Sequence, residues 1–251
     1  CPYGGTKITS GIDDNDNGTL EASEVDSTAY VCDALPTAAL FLSQDSNSNG
    51  LYRLDPTTGL ATNVGITGVT ALTVGLTYDP SAGVLIGSKP FSLIEIMQDG
   101  SGFTERGSAV AEALSYDYVN NVLYGGINGA FFTMDKTTGA TIASLASPNF
   151  DAEGLAFRAS TGTIFAIGGS SNQLHAYDIA TNSWSVVGTH GLNLDDAGLA
   201  YDPWQRVLFA TGGGDGNLYR IDPDTAQATL VGSTGLGTAN GGLEVVYEVY
   251  P

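Results

Sequence analysis

The sequence predicts an all-β protein, a five-bladed β-propeller closed by its C-terminal strand and preceded by a small calcium-loop module. Three observations lead to this fold class. One short phrase recurs five times, at intervals of 38, 41, 44 and 44 residues. Each repeat holds four short runs of β-branched and aromatic residues, which turn-forming residues separate. The first 34 residues contain a loop with the ligand spacing of a calcium site.

The calcium loop runs from Asp13 to Glu24, with Gly18 at its sixth position, where a sharp turn is needed. Alternate residues of such a loop converge on one point, as a hard cation requires. The predicted ligands are Asp13, Asn15, Asn17, the carbonyl of Thr19, Glu21 through a water molecule, and Glu24. The competing interpretation is a metal-free turn, because Asp, Asn and Gly are ordinary turn formers.

The segments that flank the loop are too short for a pair of long helices. Residues 7–10 predict extended chain, and a helix is predicted only from Leu20 to about Ser27. We therefore expect a lone loop with weak affinity, about 10⁻⁴ to 10⁻³ M.

Two cysteines, Cys1 and Cys32, bracket this segment. In an exported protein such a pair is typical of a disulfide, and the low lysine content fits an acidic extracellular protein. The alternative is a lipid on Cys1, which would leave Cys32 as a free thiol in an oxidising space. We expect the disulfide, and with it an extracellular or cell-surface location.

The opening Cys1-Pro-Tyr-Gly-Gly, the loop and the closing Tyr30-Val-Cys32 resemble small modules of bacterial secreted and surface proteins. In those proteins a cysteine-bracketed, EF-hand-like calcium loop precedes a larger domain. The resemblance implies calcium and location for residues 1–34, and it implies no activity.

Residues 38–251 consist of repeats whose period sets the fold. The recurring phrase begins at Gly75, Ala113, Gly154, Gly198 and Gly242. Four short strands in about 40 residues form a propeller blade, because one small sheet must stack on neighbours to bury both faces. The first repeat lacks its opening strand, and the chain ends on a spare copy. We therefore predict that the C-terminal strand completes the first blade and removes the free edge.

Another recurring phrase is Leu51-Tyr-Arg-Leu-Asp55, repeated as Leu218-Tyr-Arg-Ile-Asp222. Its aspartates are predicted to accept hydrogen bonds from nearby backbone N–H groups in turns. The phrase resembles the Leu-Tyr-x-Ile-Asp-x-x-Thr-Gly motifs of secreted bacterial propellers. That group includes scaffolds, binding proteins and enzymes, so the resemblance leaves the activity open.

Composition excludes two classes of function. The chain has 8 Lys and Arg against 27 Asp and Glu, and its net charge of −19 repels phosphate backbones. A nucleic-acid partner is therefore excluded. No run approaches the 18 or so apolar residues of a membrane helix, so no transmembrane segment is predicted.

Acidic residues that differ from blade to blade precede the predicted innermost strands. They are Glu112, Asp151, Glu153, Asp195 and Asp196. Packing residues recur between repeats, so these departures predict the surface that faces a partner. Three interpretations stay open: a solvated acidic face, a cation site, and a carboxylate pair for glycoside cleavage. Phe91 and Phe150 are the candidate aromatic platforms for a glycan.

The sequence thus predicts a non-enzymatic, calcium-binding scaffold at the cell surface or outside the cell. Its partner would be carbohydrate or another protein, including copies of itself in an extracellular layer or filament. The alternative is a polysaccharide hydrolase with its acidic site at the channel mouth. The chain has only two histidines and no Gly-x-Ser-x-Gly elbow, and its short loops leave little room for a substrate cleft.

Overall fold

The computed structural model of the protein describes residues 5–32, 38–44, 50–66, 69, 74–169, 171–238 and 241–247. Within these ranges the regular secondary structure consists of β-strands, and no helix is present. The chain divides into two compact units, Cys1–Thr37 and Ala38–Pro251. None of the described segments forms a helix of the length and apolarity that crossing a membrane requires.

The first unit contains one antiparallel hairpin. Its strands are β1 (Gly5–Gly11) and β2 (Val25–Cys32), and Gly5 lies opposite Cys32. The helix predicted from Leu20 to about Ser27 is wrong, since a turn at residues 22–23 leads directly into β2. The reason is that residues 25–32, rich in β-branched side chains, pair with β1 instead. The calcium loop therefore connects two strands.

The second unit contains five four-stranded antiparallel sheets, which we name blades I to V. Blade I consists of β22 (Leu243–Val246), β3 (Ala39–Ser43), β4 (Gly50–Leu54) and β5 (Ala61–Ile66). Blade II consists of β6 (Gly75–Asp79), β7 (Val84–Lys89), β8 (Ser92–Ile96) and β9 (Phe103–Gly107). Blade III consists of β10 (Ala113–Asp117), β11 (Val122–Ile127), β12 (Ala130–Met134) and β13 (Thr141–Ser144). Blade IV consists of β14 (Gly154–Arg158), β15 (Thr163–Gly168), β16 (Ser171–Asp178) and β17 (Ser183–Thr189). Blade V consists of β18 (Leu199–Asp202), β19 (Val207–Thr211), β20 (Asn217–Ile221) and β21 (Ala228–Ser233).

The predicted ring closure is confirmed. The C-terminal strand β22 pairs antiparallel with β3, with Leu243 opposite Leu42 and Val246 opposite Ala39. The innermost strands β6, β10, β14, β18 and β22 contact one another in that order, and β22 returns to contact β6. The five-bladed propeller is therefore a closed ring.

The core lies between the blades. Each of its five clusters joins residues of two neighbouring blades. In β3, Phe41 packs toward blade II, whereas Leu40 and Leu42 pack toward blade V. Because both faces of such a strand are covered, β3 (Ala-Leu-Phe-Leu-Ser) and its counterpart β19 (Val-Leu-Phe-Ala-Thr) are apolar runs that do not alternate with polar residues.

Polar links join neighbouring blades at the end of the axis where the inner strands finish. Lys136 Nζ of blade III lies 2.6 Å from Asp79 Oδ2 of blade II, and Arg158 Nη1 lies 2.9 Å from Asp224 Oδ1. The turn role predicted for Asp55 is confirmed, since its Oδ1 accepts hydrogen bonds from the backbone N–H of Thr57.

Candidate functional site

The five acidic residues predicted at the channel mouth come from three neighbouring blades and lie near one another. We call them the acidic rim: Glu112, Asp151, Glu153, Asp195 and Asp196. The channel mouth is the end of the axis where the loops that lead into β10, β14 and β18 meet. Glu112, Glu153 and Asp196 line one small space there.

Main-chain hydrogen bonds hold the two rim glutamates. Glu112 N donates to Gly126 O at 2.8 Å, and Glu153 N donates to Ile167 O at 2.9 Å. Each glutamate thus adds one residue to the ladder of its inner strand, so a strand and not a free loop positions it. The neighbouring loop also fits closely, because a Cβ at Gly168 would collide with the main-chain oxygen of Asp151.

Burial and repulsion together perturb Glu153. Partial burial, which is the larger cause, and the charges of the four other rim residues together raise the pKa of this carboxyl to about 7. All of the charged groups that shift it are carboxylates. Near neutral pH the Glu153 carboxyl is therefore only partly ionised, and a nearby positive charge would lower its pKa.

Below the rim the axis is closed. Glycine begins the inner strand or directly precedes it in four blades, and alanine begins it in blade III. A Cβ at Gly198 would lie 2.5 Å from the oxygen of Gly241. A Cβ at Gly242 would collide with the main-chain nitrogen of Leu76. The space between these strand starts has essentially no volume for water. The channel mouth is therefore a closed surface, and a ligand there contacts one end of the propeller.

Beside the rim lies a cavity of about 370 Å³. We call it the mouth cavity. Its apolar side includes Pro90, Phe91, Val110 and Ile127, and its acidic side includes the rim residues Glu112, Asp151, Glu153 and Asp196. Binding sites for small ligands measure roughly 300–1,000 Å³, so the size of the cavity is that of a ligand site.

Glu244, in the closing strand β22, lies at the opposite end of the axis. Its Oε2 accepts hydrogen bonds from Thr77 Oγ1 at 2.9 Å and from Tyr78 N at 3.2 Å. Burial raises the pKa of Glu244 to about 7, and these hydrogen bonds act against the rise. The space beside it measures about 20 Å³, which is enough for one water molecule and no larger ligand.

The two candidate aromatic platforms differ. Phe91 is 75 % exposed and lines the mouth cavity. Phe150 is half-buried, and its ring stacks on His175 with centroids 4.0 Å apart. His175 Nε2 in turn lies 3.0 Å from Ser171 Oγ. Phe91 is therefore available to a ligand, whereas Phe150 packs inside blade IV.

Backbone N–H groups orient the two carboxylates that begin and end the calcium loop. Gly18 N donates to Asp13 Oδ2 at 2.7 Å. Asp14 N and Glu21 N each donate to one carboxylate oxygen of Glu24 at 3.1 Å. Gly18 has a φ of +83°, the left-handed conformation expected at the sixth position. Asp13 and Glu24 are thus held against the loop backbone from its two ends.

The donor chemistry of the loop fits Ca²⁺. In the described part of the chain, no three His, Cys, Asp or Glu side chains form a group that could hold a metal ion. The predicted ligand set instead combines carboxylates with two asparagine amides and one carbonyl, all of them oxygen donors of the kind that calcium prefers. The Glu21 carboxylate accepts hydrogen bonds from Asn15 and Asn17, and the Asn17 amide lowers the pKa of Glu21.

The predicted disulfide stays a prediction, because Cys1 lies outside the described residues. The register of the hairpin is compatible with it. Gly5, four residues after Cys1, lies opposite Cys32.

Sequence reasoning missed two features of the axis. The apolar side of the mouth cavity includes Val110, which is 53 % exposed and lies two residues before Glu112. The available signal in the sequence was an apolar residue close to an acidic one in the segment that leads into a predicted inner strand. Glu244 occupies the position that Thr77 and Ser115 fill in other repeats. Its signal was that a carboxylate replaces a small residue.

Comparisons with known proteins place these features in context. A family described as a domain of unknown function, DUF7151, matches residues 1–32. No curated protein matches the chain. Among solved structures, a chain from "Crystal structure of Nidogen/Laminin Complex" is similar, with a TM-score of 0.58 and 14 % identity over 92 % of this chain and 94 % of that one. At that identity the likeness shows the fold alone, which is a β-propeller.

Proposed function

We propose that the protein is a non-enzymatic binding scaffold at the cell surface or outside the cell. Its partner surface would be the acidic rim together with the mouth cavity, and the partner would be a glycan, another extracellular protein or a copy of itself. One observation carries this proposal: four of the five rim carboxylates, which differ from blade to blade, line a cavity of about 370 Å³ above a closed axis. Structural packing does not require such a combination.

A polysaccharide hydrolase is the second candidate, and one observation favours it. Glycoside cleavage needs a protonated carboxylic acid beside an ionised carboxylate, about 5 to 9 Å apart. Glu153 has a raised pKa and carboxylate neighbours. The short loops around the rim provide little of the enclosure that excludes water from such sites, so we favour binding.

The discriminating experiment screens the purified chain against a panel of polysaccharides, with binding and product release measured together. We expect binding without products, and we expect Glu153→Gln to weaken it. Asp178→Asn is the matched control, because it removes the same charge from an exposed turn at the opposite end. Product release that Glu153→Gln abolishes would establish the hydrolase instead.

The N-terminal loop is proposed to bind one Ca²⁺ and to stabilise the hairpin of β1 and β2. The side chains of that hairpin are almost all exposed, and an isolated two-stranded hairpin is marginally stable. Calcium and the Cys1–Cys32 disulfide would supply the stability that a core does not.

Titration calorimetry on the full chain tests the calcium proposal. We expect one site with a Kd of about 10⁻⁴ to 10⁻³ M. Glu24→Gln should abolish the heat, whereas Asp26→Asn, an exposed position just outside the loop, should leave it unchanged. No heat from the oxidised parent protein would refute the site.

A further inference from the structure

The mouth cavity is lined by two chemically different sets of residues. The apolar set comes from the loop after β7 and from the segment before β10, and it includes Pro90, Phe91 and Val110. The acidic set consists of carboxylates of blades III, IV and V. A ligand that fills the cavity must therefore offer apolar surface and positive charge within one short group.

The spread of the carboxylates decides which kind of cation fits. A protein-bound calcium ion needs six to eight oxygens within about 2.3–2.6 Å of one point. The carboxylates that line the mouth cavity, those of Glu112, Asp151, Glu153 and Asp196, come instead from three different blades. Carboxylates distributed along one side of a cavity suit a cation that is itself extended and that donates several hydrogen bonds.

We propose that the mouth cavity binds an arginine side chain of a partner protein. The aliphatic stem would lie along Val110 and Pro90, and the guanidinium would donate to the carboxylates of Glu112, Glu153 and Asp196. Arginine fits better than lysine because its planar group presents five donors and also stacks on aromatic rings such as Phe91. This inference rests on the proposed binding function and names the partner class.

Among the described residues that line the cavity, Lys89 is the one basic residue, and its charge is paired within blade II. Lys89 Nζ forms an ion pair with Glu105 and lies 4.9 Å from the centroid of the Phe103 ring. Its charge is therefore directed toward blade II and away from the rim. Burial is the larger cause of the raised pKa of Glu153, and all the charges that add to it are carboxylates.

The backbone conformation of Phe91 decides which substitution can test its ring. Phe91 has a φ of +67°, a left-handed conformation that is rare for an aromatic residue, and its ring is 75 % exposed. Asparagine tolerates this conformation. Phe91→Asn thus removes the ring while keeping the turn, which makes it a clean test of the apolar side.

The test titrates the isotopically labelled full chain with the blocked pentapeptide Gly-Ser-Arg-Ser-Gly and follows backbone amides by NMR. The comparison peptide carries citrulline, which has the same shape and no charge. We expect the arginine peptide to shift the amides of Val74, Val110, Glu112 and Glu153. The citrulline peptide should bind at least about tenfold more weakly, the loss expected for a hydrogen bond to a charged group.

Two variants assign the effect to the two sides of the cavity. Glu153→Gln should weaken arginine binding about tenfold, and Phe91→Asn should weaken it about two- to fivefold, as for an exposed cation–π contact. Asp178→Asn, with the same change in charge at the opposite end, should have no effect. A further readout is Glu153 itself, whose pKa should fall when the arginine peptide binds.

Two results would overturn the inference. One is equal shifts from the arginine and citrulline peptides, and the other is no shift at the mouth amides from either peptide. If polysaccharides still bind the rim in that case, the proposed function stands and only the arginine partner is wrong. If nothing binds the rim, both proposals fail.

Discussion

The two ends of the propeller axis each carry a glutamate whose pKa is raised to about 7. At the channel mouth, Glu153 is partly buried and its shift grows through repulsion from four carboxylates. At the opposite end, Glu244 is shifted by burial alone, and hydrogen bonds from Thr77, Val245 and Tyr78 oppose the shift. The surroundings of Glu153 concentrate negative charge, whereas the surroundings of Glu244 supply hydrogen-bond donors to a single carboxylate.

This difference distinguishes the proposed binding surface from a structural contact. Glu244 joins blade I to blade II through Thr77 Oγ1, which also accepts a hydrogen bond from Tyr116 N of blade III. Every donor to Glu244 belongs to a strand of the ring. The rim instead gathers carboxylates of three blades at one end of the axis, where Glu112, Glu153 and Asp196 line one small space.

The largest expected effect comes from removing the strand that carries Glu244. Deleting residues 240–251 exposes the edge of β3 and removes Leu243, Val245 and Val246, which are buried in the inter-blade core. These side chains contribute about 1.5–3 kcal/mol each, against a total stability of about 5–15 kcal/mol for a typical domain. The truncated chain should aggregate or melt far below the parent in calorimetry. An unchanged melting temperature would mean that the ring does not need this strand.

Next in size is the effect of pH through Glu244. Its pKa is raised from 4.5 to about 7, so the folded state holds the proton more tightly than the unfolded chain does. Its contribution to stability is therefore complete below pH 4.5 and is lost as the pH rises through about 7. The loss is at most about 3 kcal/mol.

Urea unfolding at a series of pH values measures this loss. Glu244→Gln should flatten the fall in the free energy of unfolding between these pH values, because the variant has no proton to lose there. Glu153→Gln serves as the comparison at the channel mouth, and we expect it to flatten the curve less. Identical curves for the parent and Glu244→Gln would contradict the burial of this carboxyl.

A smaller effect is expected at the link between blades II and III. Lys136→Met leaves Asp79 without its ion pair, although the Asp79 side chain is only 1 % exposed. We expect a loss of about 1–3 kcal/mol, below the roughly 3–5 kcal/mol of a fully buried pair, because Lys136 is partly exposed and Ser81 still donates to Asp79. Arg158→Met is the control. Its partner Asp224 is 77 % exposed, so that variant should lose less than about 1 kcal/mol.

The smallest effect sharpens the comparison directly. Raising the salt concentration screens charge repulsion but does not change burial. The pKa of Glu153 should therefore fall by a fraction of a pH unit, while the pKa of Glu244 should stay constant. Carboxyl carbon shifts in an NMR titration measure both. Equal responses at the two residues would show that the rim charges do not interact as described.

The sequence by itself determined the fold of the second unit. The repeat interval, the four strand-like phrases in each repeat and the spare final copy predict a ring of five blades, because each small sheet must stack to bury both faces. The blade-specific acids Glu112, Glu153 and Asp196 also stood out, since packing positions recur and these do not. Their gathering at one end follows from the common direction of the inner strands.

Only the tertiary structure decided what surrounds those acids. Val110 and Phe91 lie far apart in the sequence from Asp196, and only the closed ring brings them to one cavity. The helix predicted from Leu20 to about Ser27 does not form, for a similar reason. Pairing of residues 25–32 with β1 outweighs the local helical preference of that segment. Side-chain environments depend on contacts distant in sequence, whereas repeats and turns are local. For this protein, the repeat pattern in the sequence therefore predicts the five-bladed architecture, whereas contacts between distant segments determine the surroundings of the acidic rim.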